Sequence, residues 1–112
     1  MPPGESGAPT HYRLTPRARA DLEEIWLYSE ETWSAEKADD YIDALTEGFE
    51  ALLRVPEMAR ERTELRPPVR IHPLGGHLIV YRILEDHIEI VRLLGGRQNW
   101  VAILAALDEG QE

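Results

Sequence analysis

Residues 16–56 read PRARADLEEIWLYSEETWSAEKADDYIDALTEGFEALLRVP, two helical periods in succession. At about 100° per residue, Ala18, Leu22, Ile25, Trp26, Ser29 and Trp33 fall on one face, the signature of an amphipathic helix over residues 16–33. The second half is more regular. Ala38, Tyr41, Ile42, Leu45, Phe49 and Leu52 keep the helical spacing, with Glu36, Asp39, Asp40, Asp43, Glu47 and Glu50 opposite them. Thr15-Pro16 reads as an N-cap followed by proline at the first helical position. Ser34 is a second N-cap, with Glu36 favourable near the positive helix end. Val55-Pro56 ends the second helix, because the residue before proline resists helical geometry. Two such helices joined by a very short turn pair as an antiparallel hairpin, and their shared apolar stripe needs a third surface to cover it.

The flanking sequence supplies that surface. His11 to Leu14 alternates as a short strand before the first helix. After the hairpin, residues 57–68 form a charged loop without a clean period. Val69 and Ile71 then alternate with Arg70 and His72 as a strand, closed by Pro73 and the Gly75-Gly76 turn. HLIVYRIL (77–84) is apolar on both faces, as a central strand is, and Glu85-Asp86 turns the chain into a third strand, HIEIVRLL (87–94). Gly95-Gly96 breaks the pattern, and Asn99 is placed to cap a short helix over 100–107. The expectation is an α+β fold: an N-terminal strand, then an antiparallel helical hairpin packed on a three- to four-stranded antiparallel sheet, then a short C-terminal helix. Residues 1–10 read as a flexible lead, 11–107 as a single domain and 108–112 as a tail.

Composition narrows the function classes. The 112 residues suffice for one hydrophobic core without disulfides or a structural metal. Cysteine is absent, which removes thiolate nucleophiles and zinc–thiolate sites and suits a reducing, cytoplasmic location. The first ten residues lack the basic and apolar runs of a signal peptide, and no window reaches the roughly 18 apolar residues of a membrane span. Twelve basic residues against 21 acidic ones give a net charge of −9, so direct sequence-specific nucleic-acid binding is not expected. The charge is uneven. Asp21 to Glu50 holds eleven carboxylates and one base, Lys37, whereas Ala51 to Trp100 holds eight arginines and six carboxylates. Arginine without lysine in that second half suits planar, bidentate contacts.

Taken together, YRLTPRARADLEEIWLYSEETW (12–33), AEKADDYIDALTEGFEALLRVP (35–56), ELRPPVRIHP (64–73) and GGHLIVYRILEDHIEIVRLL (75–94) resemble the ParE/RelE toxin superfamily, in its ParE branch. The resemblance spans residues 12–104. It is carried by Thr15, Pro16, Ala18, Asp21, Leu22, Ile25, Tyr28, Pro56, Leu65, Arg66, Arg70, Tyr81, Val91 and Arg92 in that order. It implies the toxin of a type II toxin–antitoxin pair. ParE-like toxins are understood to poison DNA gyrase and stall replication, and a ParD-like antitoxin neutralises them with a tail that wraps the toxin. RelE-like relatives instead cut messenger RNA in the ribosome, so the fold leaves two outputs open. A third is a toxin-derived domain that has lost activity and serves only as an antitoxin-binding partner.

The residues weigh on that choice. An RNA-cleaving site needs a base, an acid and cations for the phosphorane charge, and its candidates here are Arg66, Arg70, Tyr81 and Arg92, with His72, His77 and His87. Each has a plainer role: Tyr81 lies in the most apolar strand, and Arg70 and Arg82 can flank the sheet in ion pairs with Glu64 or Glu85. Many relatives carry a late histidine where this chain has Gly95-Gly96-Arg97-Gln98-Asn99-Trp100. The expectation is therefore a binding toxin, not an enzyme, with no catalytic residue. Trp26, Leu27 and Tyr28 extend the first helix's apolar surface beyond its core face and are expected to meet the antitoxin. Arg92, Arg97 and Trp100 are expected to meet gyrase. The histidines lack metal-ligand spacing and neither glycine pair precedes a helix at phosphate-loop spacing, so no metal or cofactor is expected.

Overall fold

A computed structural model describes residues 9–110 of the chain, so most of the expected lead over 1–10, and the last two residues of the expected tail, lie outside the described residues. Strand β1 (His11–Leu14) leads into helix α1 (Pro16–Thr32) and helix α2 (Ala35–Arg54). A single 3₁₀ turn, Pro56–Met58, follows. Then come β2 (Glu61–Arg62), β3 (Val69–Leu74), β4 (His77–Ile83), β5 (His87–Gly95) and helix α3 (Trp100–Gly110). The strands form one sheet in the order β1-β5-β4-β3-β2.

Both hairpin helices start where side-chain chemistry starts them. The Thr15 hydroxyl accepts the Ala18 amide at 3.0 Å, and the Ser34 hydroxyl accepts the Lys37 amide at 3.1 Å. Thr15 also donates its hydroxyl to the Val91 carbonyl at 2.9 Å, tying the entrance of α1 to β5. The stripes of the two helices meet over one face of the sheet, where Ile25, Leu45, Phe49 and Leu52 close on Ile79, Tyr81, Ile88, Ile90 and Leu93. Fully burying a side chain of this size contributes about 1.5–3 kcal/mol. Val69, Ile71, Val80 and Leu94 form a second cluster with Leu104 of α3. The short C-terminal helix thus covers part of the surface that the strands do not give to the hairpin.

Several details depart from the sequence expectation. β1 does join the sheet, but parallel to β5, with His11 to Leu14 opposite His87 to Ile90, so the sheet is mixed; only β2 to β5 are antiparallel. The charged loop contains a two-residue strand, Glu61–Arg62, paired with Arg70 and Val69. Trp33, placed by period on the apolar face, is 63% exposed, because the helix stops there: Trp33 is its C-cap, with φ −123° and ψ −76°. The ion pairs also differ in partner. Arg82 meets Glu89 at 2.6 Å, its directly opposite residue on β5, and Glu64 meets Arg60 at 3.4 Å.

Candidate functional site

β5 is longer than β1, and this mismatch creates the most structured polar site among the described residues. Pairing with β1 ends at Ile90, which leaves the edge of β5 open from Val91 to Gly95. Unpaired backbone groups at a part-buried edge are costly, and here side chains take the place of the missing strand. Thr15 serves the Val91 carbonyl, the Asp21 carboxylate accepts the Leu93 amide at 2.9 Å, and the Gln98 side-chain oxygen accepts the Gly95 amide at 2.6 Å. Asp21 also receives Nε and Nη2 of Arg92 at 2.8 and 3.0 Å, a bidentate pair with both residues 8% exposed. With three donors on its two oxygens, the buried carboxylate is well compensated.

A cavity of about 200 Å3 opens beside this pair, lined by Asp21, Glu24, Tyr28, His77, Arg92 and Gln98 among others. His77 opens β4 and is held from behind: its Nδ1 lies 2.7 Å from the Tyr41 hydroxyl of α2, which also accepts the Gly76 amide at 3.2 Å. Burial pushes the imidazole below its ordinary value of 6.5, against a smaller opposing pull from Asp21. Burial likewise raises the Tyr41 phenol, partly offset by the Gly76 amide. Gly75 has φ +61° and faces Tyr41 so closely that a Cβ would stand 2.8 Å from the phenol oxygen, so the β3–β4 turn needs glycine there.

The proposed antitoxin contacts sit on the same helix. Leu27 and Tyr28 are 54% and 64% exposed, and the Tyr28 ring meets Trp33 edge-to-face at 6.3 Å. Trp26 is half-buried and donates its indole N–H to Asp39 of α2 at 2.8 Å, so it braces the hairpin as well as bordering this surface. The proposed target contacts are split. Arg97 is exposed. Trp100 is half-buried against the second cluster, with the Arg62 guanidinium 5.3 Å from its ring centre. Arg92, expected at a contact surface, is instead committed to Asp21 inside the fold.

Of the four residues considered for RNA cleavage, Arg70 and Tyr81 stand opposite each other on β3 and β4, and three of the four are committed to other partners. Tyr81 is fully buried and donates its hydroxyl to the Pro56 carbonyl at 2.7 Å, with its phenol raised chiefly by burial. Arg70 donates to the Ala59 carbonyl at 2.6 Å, Arg92 to Asp21, and Arg66 is exposed. Among the described residues, no cluster of three or more histidine or acidic side chains could hold a metal, and no helix is long and apolar enough to cross a membrane.

In the sequence Asp21 is one of the eleven carboxylates from Asp21 to Glu50 and one of the positions that carry the family resemblance, with no role assigned to it. The signal was present: Ala18, Asp21 and Ile25 follow one another on the buried side of α1, and a carboxylate on a buried stripe requires a partner.

Comparison with known proteins agrees with this architecture. The family described as the ParE toxin of the type II toxin–antitoxin system parDE matches residues 12–100. Toxin ParE1 of Caulobacter vibrioides is 39% identical over 88 residues, covering 79% of this chain and 91% of that protein. Toxin ParE1 of Mycobacterium tuberculosis is 33% identical over 91 residues, covering 80% and 93%. A solved chain of the chromosomal ParDE system from P. aeruginosa superposes with a TM-score of 0.69 at 24% identity, over 80% of this chain and 98% of that one, and so shares the fold. With a family match over most of its length and relatives above 30% identity, this chain belongs to the ParE toxins of type II toxin–antitoxin systems.

Proposed function

We propose that this toxin acts by binding, that its target is DNA gyrase, and that a ParD-like antitoxin neutralises it in the cytoplasm. The single observation that carries the reading is the family match over residues 12–100. ParE-like toxins are understood to hold gyrase in its cleaved-DNA state. The side-chain arrangement supports a binder over a ribonuclease. Acid–base catalysis needs groups that converge on one reacting centre, whereas Tyr81 is spent on Pro56 and Arg92 on Asp21. Arg97 and Trp100 are the proposed gyrase contacts, and Arg92 positions them by anchoring the end of β5 to α1. The antitoxin covers Leu27 and Tyr28, bordered by Trp26, where α1 stays apolar outside the core.

A gyrase assay with purified components tests this reading. Added toxin should increase cleaved DNA in the presence of gyrase, and Arg97→Ala combined with Trp100→Ala should reduce that effect while the protein stays folded. Full cleavage stimulation by the double variant would remove these two residues from the interface. No stimulation by the wild-type chain would remove gyrase.

A further inference from the structure

The cavity beside Asp21 and Arg92 shares Tyr28 with the proposed antitoxin contacts and adds a charge balance and a shape of its own. Its Asp21 carboxylate is neutralised by Arg92. Its imidazole, His77, is held toward the uncharged form by burial. Glu24 is exposed and forms no ion pair among the described residues, so the cavity carries one uncompensated negative charge. The exposed ring of Tyr28 stands beside it, edge-to-face with Trp33. In an extended strand the N–H and C=O of one residue point to the same side, so the Leu93 carbonyl faces the open edge together with the amide that Asp21 accepts. At about 200 Å3 the space is smaller than the roughly 300–1,000 Å3 typical of small-molecule pockets, and it suits one side chain better than a metabolite.

We propose that this cavity is a socket for a single arginine side chain presented by the protein partner that covers α1. A planar guanidinium can meet the Glu24 carboxylate, stack on the Tyr28 ring and donate toward the Leu93 carbonyl at once, which an ammonium cannot do with equal fit. The net charge of −9 favours approach of a basic group to this surface. The identity of the partner rests on the antitoxin reading above; the chemistry of the socket does not, so the two can fail separately.

The test is an amide-resolved NMR titration of the full chain with L-argininamide, which needs no antitoxin. Saturable shifts at the Leu93 and Gly95 amides are expected. Their apparent affinity should fall at least several-fold in Glu24→Gln and in Tyr28→Ala, both exposed positions whose replacement spares the fold, and should be unchanged in Glu47→Gln on the acidic face of α2. The absence of saturable shifts at Leu93 and Gly95 would overturn the proposal. So would shifts spread along α2 that Glu24→Gln leaves intact, or inorganic phosphate moving the same amides more than argininamide.

Discussion

Asp21 of α1 holds Arg92 of β5 across 71 positions of sequence, with two guanidinium bonds of 2.8 and 3.0 Å, and accepts the neighbouring Leu93 amide with the same carboxylate. One side chain thus serves the middle of an open sheet edge and docks a helix onto it. Asp21→Ala leaves a buried guanidinium and a strand amide without partners, and is expected to cost about 3–5 kcal/mol. Urea unfolding measures this. The double variant Asp21→Leu with Arg92→Met should regain much of the loss, because apolar groups of similar volume remove the uncompensated charge. Equal losses in the single and double variants would show that the pair does not stabilise through its charge.

Much of the architecture was legible because its cues are local. Thr15 and Ser34 cap the two helices that their side chains announce, and the turns at Gly75-Gly76 and Glu85-Asp86 fall between the strands they separate. The missed features depend on distant partners. Four residues of β1 carry no cue for parallel pairing with a strand 76 positions away, and the Glu61–Arg62 strand is too short for any period. Arg82 chooses Glu89 over the nearer Glu85 because the β4–β5 register sets them opposite each other. The site was less legible than the fold. Leu27 and Tyr28 lay outside the helical stripe and are exposed, but Arg92 gave no local sign of its buried partner.

His77 gives the fold a mild sensitivity to acid. Its folded-state value lies below 6.5, so the unfolded chain binds the proton more readily. The contribution is fully present above 6.5 and is lost as pH falls from there through the folded value. Thermal unfolding should therefore show stability declining on acidification below about 6.5, a decline that His77→Gln reduces. Glu64 and Asp86, both lowered from ordinary values of 4.5 and 3.8, contribute to the decline only once pH falls below those values, whereas the His77 contribution begins to fall at 6.5. An unchanged profile in His77→Gln would assign the decline to other groups.

Leu27 is more than half exposed on α1, so replacing it should spare the core. Leu27→Glu is expected to keep the unfolding midpoint of the parent and to weaken antitoxin binding by about 1–2 kcal/mol, roughly 5- to 30-fold. Calorimetric titration with a ParD-like antitoxin reads this directly. Unchanged affinity would move the antitoxin interface off this face of α1.

A ParE-family chain that poisons gyrase stops growth through DNA and not through messenger RNA. Pulse labelling of DNA and protein synthesis, after inducing the chain alone in bacterial cells, separates the two. DNA synthesis should fall first while translation continues. Translation stopping first would contradict the account and return Arg66, Arg70, Tyr81 and Arg92 to consideration as a catalytic set. Soluble toxin that leaves both processes intact would contradict it too, and would favour an inactive partner of the antitoxin.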